Sequence, residues 1–261
     1  MRLATWNVNS VRLRIQNIIN FSINFNIDVL CLQETKTVNE NFPIEDFKKS
    51  GYPYSCFVGQ KSYNGVAILS KIPIIKKKKL KWCNNSDARH VCVKLENNVT
   101  LHNFYVPAGG DIPDIKKNFK FKYKLDFLKE MISYFYKDRT NKKILVGDLN
   151  IAPGEYDVWS HTKLLNVVSY TPIERELLSK LINNCKLIDI VRYKNIPDAK
   201  LYTWWSYRSR DWRKSDRGRR LDHIFISKDL ISYIKMTKIC KELRGENKPS
   251  DHVPVITDFD L

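Results

Sequence analysis

Two short segments constrain this chain more than any others. Ile27-Asp28-Val29-Leu30-Cys31-Leu32 is a mostly apolar run of strand length that closes on Gln33-Glu34, and Ile144-Leu145-Val146-Gly147 is another that closes on Asp148-Leu149-Asn150. Strands this apolar are covered on both faces, so each delivers its polar exit at the edge of a core. Residues 3–7 show the same habit, running apolar into Asn7 and Asn9.

The halves of the chain echo one another. Ser10 is placed to cap a helix carrying Val11, Ile15, Ile18, Ile19 and Phe25 on one side, ahead of the strand that ends at Glu34. Leu125, Leu128, Met131, Ile132 and Phe135 fall at helical spacing ahead of the strand that ends at Asp148. Residues 65–70, 91–95 and 100–106 read as antiparallel strands, and 221–227 and 253–259 as strands that close the chain. Thr171-Pro172-Ile173-Glu174 is a capping box with proline at the first helical position, opening a helix that buries Leu177, Leu178, Leu181 and Ile182. With no Gly/Ser/Pro linker between the halves, the pattern predicts an α/β fold in one domain over residues 1–261, two packed mixed β-sheets flanked by helices.

Composition narrows the function. Forty-five Lys+Arg against 28 Asp+Glu give a formal charge of +17, which points to polyanionic partners. At 261 residues and 43% hydrophobic content the chain can bury a large core and is not disordered. No run reaches the roughly 18 apolar residues of a membrane span, and the first residues read as a strand, so neither a signal peptide nor an anchor is expected, and the expected location is cytoplasmic. Six scattered cysteines without a CxxC pair indicate neither zinc nor a disulfide framework, and hence a reducing compartment.

Acids and amides accumulate at the predicted strand exits: Asn7, Glu34, Asp148, Asn150, Asp222, Asp251 and His252. Any one of them alone is explained by contact with water. Together they form a hard, oxygen-rich set of the kind Mg²⁺ or Mn²⁺ takes, with a phosphate substrate completing the coordination.

Six segments then carry a resemblance. Trp6-Asn7-Val8-Asn9-Ser10, Leu32-Gln33-Glu34-Thr35-Lys36, Tyr105-Val106-Pro107, Gly147-Asp148-Leu149-Asn150-Ile151-Ala152-Pro153, Arg220-Leu221-Asp222 and Ser250-Asp251-His252-Val253-Pro254 resemble, in order, the motifs of the exonuclease III family of apurinic/apyrimidinic endonucleases. The resemblance spans nearly the whole chain and implies a four-layered α/β sandwich, the endonuclease/exonuclease/phosphatase fold. It implies that the metal positions draw on Asn7, Glu34, Asp148, Asn150, Asp251 and His252, with Glu34 the principal ligand, Asn7 beside it and Asp251 at a second position. It further implies that Asp148, helped by Asn150, orients and deprotonates the attacking water, and that His252 and Asn150 hold phosphoryl oxygens. Asp222 would fix the His252 ring, and Tyr105 would lie near the scissile phosphate. The implied enzyme is a Mg²⁺ (or Mn²⁺) dependent DNA repair nuclease that cuts 5' to abasic sites in double-stranded DNA and acts as an exonuclease and on 3' blocked ends, as a monomer. From the residues alone, Tyr105 is equally a half-buried strand tyrosine and Asp222 equally a surface partner for arginine. The other four histidines read as structural or solvent-exposed.

DNA contacts are sought among basic segments. Residues 207–220 hold seven basic residues and two acids just before Asp222, which nominates Arg208, Arg210, Arg213 and Arg217. Lys116, Lys117, Lys120, Lys122 and Lys124 interleave with Phe119, Phe121 and Tyr123, an alternation suited to a DNA backbone, with Lys116 and Lys120 as the nominated contacts. Both stretches read equally as solvated loops, and the run of residues 76–79 is read as solvated. Trp204 and Trp205 resemble the aromatic wall of a pocket for a flipped, base-free deoxyribose, with a core role for Trp205 the equal alternative. Relatives often carry an apolar or aromatic residue three before the catalytic aspartate, where this chain has Arg219. Two rival functions remain at this stage: a same-fold phosphoesterase acting on a lipid or inositol phosphate, and a non-catalytic nucleic-acid binding protein.

Overall fold

The structure is a computed structural model and describes residues 1–138, 140–209 and 211–261; Arg210, nominated above as a DNA contact, lies outside the described residues. The apolar runs become strands: β1 (Arg2–Asn7), β2 (Val29–Gln33), β3 (Tyr54–Val58), β4 (Val66–Ser70) and β5 (Ile74–Lys78). They continue with β6 (His90–Leu95), β7 (Thr100–Tyr105), β8 (Lys143–Asp148), β9 (Leu187–Asp189) and β10 (Trp204–Trp205). The last are β11 (Gly218–Arg219), β12 (Asp222–Ser227), β13 (Ile234–Ile239) and β14 (Val255–Phe259). One six-stranded sheet runs β13-β14-β1-β2-β4-β3 and the other β5-β6-β7-β8-β12-β9.

Strand periodicity sorts the side chains into layers. Leu3, Val29 and Cys31 point between the sheets, where they meet Ile68, Val91, Leu101, Ile144, Val146 and Ile224. Their neighbours Ala4, Leu30 and Leu32 point outward, against Ile18 and Phe21 of helix α1 (Ile15–Asn24). On the far side Leu145 and Phe225 face outward against helices α2 (Phe119–Lys137) and α3 (Pro172–Asn184) through Leu128, Met131, Leu178 and Leu181. The result is the helix–sheet–sheet–helix sandwich expected. The Thr171/Glu174 capping box forms as read.

Topology brings the strand exits together. β1 and β2 are parallel, as are β7 and β8, so each pair ends at the same edge. β14 is antiparallel to β1 and β12 to β8, so these two strands begin at that edge. A buried polar clamp ties the sheets just below it. Asn103 Nδ2 of β7 donates to the Leu32 and Ala67 carbonyls of the other sheet at 3.0 and 2.9 Å, and Gln33 Nε2 donates to Asn103 Oδ1 at 2.7 Å. Gly147 is required just before Asp148: its φ is +139°, and a Cβ there would lie 1.9 Å from the Phe104 carbonyl oxygen.

Two local expectations change. The first helix starts at Ile15, not after Ser10, because Ser10 N and Val11 N donate to the carbonyls of Glu34 and Thr35. Those residues are committed to the end of β2, and Asn9 and Ser10 take positive φ to reach it. The lysine–aromatic alternation of residues 116–124 is wound largely into α2, where successive residues turn by 100°. Phe121 and Lys124 therefore go into the core while Lys122 pairs with Asp126 at the surface. Residues 76–79 are exposed, with Lys76 to Lys78 on the edge strand β5, where lysines discourage edge-to-edge pairing. Among the described residues no helix is long and apolar enough to cross a membrane.

Candidate active site

Asn7, at the end of β1, joins the two sheets. Its Nδ2 donates to Glu34 Oε1 at 2.9 Å and to Asp148 Oδ2 at 2.8 Å, while its Oδ1 accepts from the Asn9 backbone N–H at 3.0 Å. The amide nitrogen thus faces both carboxylates and bridges them. Glu34 follows β2 with φ +51°, and its second oxygen meets Lys36 Nζ at 2.7 Å. Burial raises the Glu34 carboxyl pKa, but Lys36 and the Asn7 amide outweigh it and hold it below the ordinary value. Asp148 is fully buried; burial, then the neighbouring Asp222 and Glu34, push its carboxyl pKa up against the opposing pull of His252.

His252 stands across from these acids. Its Nδ1 lies 2.8 Å from Asp222 Oδ2, and its Nε2 lies 3.7 Å from Asp148 Oδ2. Burial disfavours the imidazolium, yet Asp222 and Asp148 raise the pKa to about 10, so the ring is a cation that donates to Asp222 and turns its second N–H toward the cleft. Asp222 is wholly buried, not a surface partner for arginine. Thr203, inconspicuous in the sequence, fixes it: Oγ1 donates to Asp222 Oδ2 at 2.6 Å and accepts from the Leu221 and Asp222 N–H groups. Ser250 Oγ donates to the Asn7 carbonyl at 2.7 Å and accepts from His252 N, tying the histidine loop to β1.

Asn150 takes φ +55°, which lets its N–H donate to Asp148 Oδ1 at 2.9 Å and its Nδ2 to Val106 O and Asp148 Oδ2. Its carbonyl accepts from Lys124 Nζ at 2.7 Å, and Lys124 is buried in an ion pair with Glu174. Glu174 in turn accepts from Ser169 N, Thr171 N and Thr171 Oγ1, so one buried pair braces the Asp148 loop against the loop at Ser169. No composition signal separated Lys124 from the surface lysines around it.

Ligand atoms of Glu34, Asp148 and His252 lie within 4.8 Å of one another, the one such group among the described residues. Two carboxylates this close, Asp148 fully buried and Glu34 lining the adjoining cleft, suit a hard divalent cation. Asp251 stands outside the cluster, its oxygens taken by Asn9 Nδ2 at 3.1 Å and Trp204 Nε1 at 2.9 Å. Asn150 turns its side-chain nitrogen toward Asp148.

The cluster opens into a cleft of about 740 Å³ lined by Glu34, Tyr105, Asn150, Asp251 and His252 and, beyond them, Trp204, Arg208, Arg217 and Arg219. Tyr105 is a nearly buried strand residue that also lines the cleft; burial, Glu34 and Asp148 push its phenol well above the ordinary value. The two tryptophans part company. Trp204 lines the cleft, whereas Trp205 is 1% exposed and packs in the core against Tyr202 and Trp212, because successive strand residues point to opposite faces. The basic segment divides too. Arg208 and Arg217 line the cleft, Arg213 lies over Trp212 outside its lining, and Arg220 is buried in a structural network. Lys116 and Lys120 are exposed and outside the lining, after the loop that contributes Gly110 and Asp111 to it. None of the other four histidines lines the cleft; three are buried and His161 bonds Tyr170.

A carboxylate pair and a carboxylate-held imidazolium at the head of a basic cleft define a phosphoester hydrolase. The profile of the Endonuclease/Exonuclease/phosphatase family matches residues 4–252. Exodeoxyribonuclease III of Haemophilus influenzae is 30% identical over 99% of this chain and 100% of its own length. Among solved structures, an AP endonuclease from Archaeoglobus fulgidus is 31% identical with a TM-score of 0.93. The 3' phosphatase NExo from Neisseria, bound to product DNA hairpin, is 29% identical with a TM-score of 0.92, and both neighbours match over 100% of each chain. The chain belongs to the endonuclease/exonuclease/phosphatase family, in its exonuclease III branch of nucleases.

Proposed function

We propose that this protein is a Mg²⁺ (or Mn²⁺) dependent DNA repair nuclease that hydrolyses the phosphodiester 5' to abasic sites in duplex DNA. The same chemistry serves 3'-5' exonuclease and 3'-phosphodiesterase or phosphatase action on 3' blocked ends. In this reading it works in base excision repair in the cytoplasm, as a monomer with one domain over residues 1–261. The observation that carries it is the convergence of Glu34, Asp148 and His252 at the head of a cleft walled by arginines. Its structural relatives, an AP endonuclease and a DNA-bound 3' phosphatase, support it.

Glu34 and Asp148, with Asn7, Asn150 and Asp251 nearby, would hold the cation, which when bound supplies Lewis-acid stabilisation of the charge developing on phosphorus and the leaving oxygen. Asp148 is assigned to orient the attacking water and take its proton, in a position fixed by Asn7 and Asn150. The water oxygen bonds to phosphorus in line with the departing 3' oxygen, the P–O bond breaks, and that oxygen ends as a hydroxyl. His252, held cationic by Asp222, donates its free N–H to a phosphoryl oxygen and so binds charge that grows in the transition state. Tyr105 contributes a protonated hydroxyl near the phosphate, and Trp204 walls the space for the extruded sugar.

A labelled duplex with one internal tetrahydrofuran site tests this reading. With Mg²⁺ the expected product is a 3'-hydroxyl strand ending 5' to the site, and EDTA or Glu34→Ala abolishes it. Full cutting under either condition overturns the metal mechanism. Hydrolysis of sphingomyelin or an inositol phosphate in place of the duplex overturns the substrate.

A further inference from the structure

Among the described residues, Lys124 and Glu174 form the one ion pair whose side chains are both wholly buried. Glu174 has donors besides the lysine: its oxygens accept from Ser169 N at 3.0 Å, Thr171 N at 3.1 Å and Thr171 Oγ1 at 2.6 Å. The ammonium has three N–H groups and three acceptors, Glu174 Oε1, Asn150 O at 2.7 Å and Ala108 O at 3.3 Å. Those acceptors reach three separate segments of the cleft wall, at residues 108–111, at Asn150 and, through Glu174, at Ser169. The first segment packs on the lysine stem: Gly109 takes φ +92°, and a Cβ there would lie 2.9 Å from Lys124 Cδ.

Stability alone does not account for this lysine. Taking two charges out of water offsets much of what their attraction returns, and apolar side chains of the same volume commonly serve a fold as well. What an apolar side chain cannot supply is a donor aimed at a backbone carbonyl. Asn150 holds φ +55°, and with its carbonyl fixed by Lys124 its own N–H meets Asp148 Oδ1 at 2.9 Å and its Nδ2 meets Asp148 Oδ2 at 3.2 Å. Among the described residues the only other hydrogen bond to that carboxylate comes from Asn7. Carbonyl, N–H and side chain of Asn150 hinge on one Cα, so a turn of this residue would swing both of its donors off Asp148. Glu174 fixes Lys124, Lys124 fixes Asn150, and Asn150 orients Asp148.

We propose that Lys124 is a positioning residue for the hydrolysis: its ammonium pins Asn150 and so keeps the Asp148 carboxylate aimed at the attacking water. This rests on the nuclease reading above, in which Asp148 takes the proton of that water, and deepens it. Lys124 is wholly buried and does not meet the DNA, so loss of its ammonium lowers kcat and leaves KM nearly unchanged.

The experiment pairs kinetics with stability in Lys124→Met and in Lys124→Met/Glu174→Gln. Both are assayed with Mg²⁺ on a duplex holding an internal tetrahydrofuran and on a duplex ending in a 3'-phosphate. The single variant keeps a buried carboxylate without its cation and is expected to lose both stability and kcat. The double variant removes both charges and is expected to regain most of the denaturation midpoint. Its kcat, scaled to the folded fraction, is expected to stay on the order of 10²-fold below wild type, with KM within about twofold. A fall of less than about tenfold in the refolded double variant marks a purely structural pair and overturns the proposal. A second measurement holds even where that variant does not fold. In the wild type, native-state hydrogen exchange is expected to open the Asn150 N–H only together with the amides of β8. Exchange of that amide at the rate of a free loop overturns the pinning. The two duplexes separate this proposal from the reading it rests on. If the wild type hydrolyses only the 3'-phosphate end, the abasic reading falls and the kcat comparison stands on that end; if it hydrolyses neither, both fall.

Discussion

Two charged clusters in this sandwich are each built around a buried aspartate, Asp157 and Asp148, and are balanced differently. Around Arg220, Asp157 meets Arg220 and Arg192 at 2.7 and 2.6 Å, and Asp189 meets Arg220 at 2.6 Å. Although burial opposes ionisation, the two guanidiniums keep the Asp157 carboxyl below the ordinary range. At the strand ends Asp148 has, among the described residues, no lysine or arginine within ion-pair distance, only His252 at 3.7 Å, and burial with two nearby carboxylates pushes its carboxyl pKa up to about 7. The first cluster is complete in itself and locks the segment before β12. The second is short of positive charge, and a cation with a phosphate is what would complete it.

The first way to break this contrast is at the balanced cluster. Arg220→Ala takes from buried Asp157 one of its two guanidiniums and from partly buried Asp189 its ion-pair partner, and is expected to destabilise the fold by about 3 kcal/mol, read as a lower midpoint in chemical denaturation with the denaturant slope unchanged. Activity should fall only as far as the folded fraction does. At the unbalanced cluster the expectation reverses. Glu34→Gln should lower kcat on the tetrahydrofuran duplex on the order of 10³-fold. Asp148→Asn should leave the metal-free melting temperature above pH 7 equal or higher, since burial and the neighbouring Asp222 and Glu34 disfavour the Asp148 carboxylate in the fold; a clear fall in melting temperature contradicts the imbalance.

A smaller effect sharpens the contrast through pH. His252 is raised in the folded protein to about 10 from a reference near 6.5, so its contribution to stability is present in full below about pH 6.5 and fades as pH rises through about 10. In Asp222→Asn the main raising partner is gone. The stability gap between metal-free wild type and this variant is therefore expected to be widest near pH 6 and to narrow toward pH 10. NMR titration of the His252 ring checks the sign directly: a wild-type imidazole already neutral at pH 7.5 would contradict it.

Where the chemistry lay on strand exits, the sequence showed it. Glu34, Asp148 and Asp222 stand at or next to the ends of apolar runs, and a carboxylate in that setting is conspicuous in one dimension. Thr203 and Lys124 were not conspicuous. Thr203 matters because its hydroxyl reaches across 19 residues to Asp222, and Lys124 because α2 turns it inward while its neighbours face water. Trp204 and Trp205 were indistinguishable as a dipeptide, since which of two adjacent strand residues faces a cleft is set by the sheet they join. The basic segment before Asp222 resolved the same way, into Arg208 and Arg217 on the cleft, Arg213 on Trp212 and Arg220 in the interior.

Local sequence thus determined the elements, their inward and outward faces and the identity of the acids at their ends, because strand and helix periodicities are properties of consecutive residues. Only the tertiary structure decided which charges would be paired. Ion pairing depends on distances between side chains far apart in the chain, and that is what separates Asp148 from Asp157.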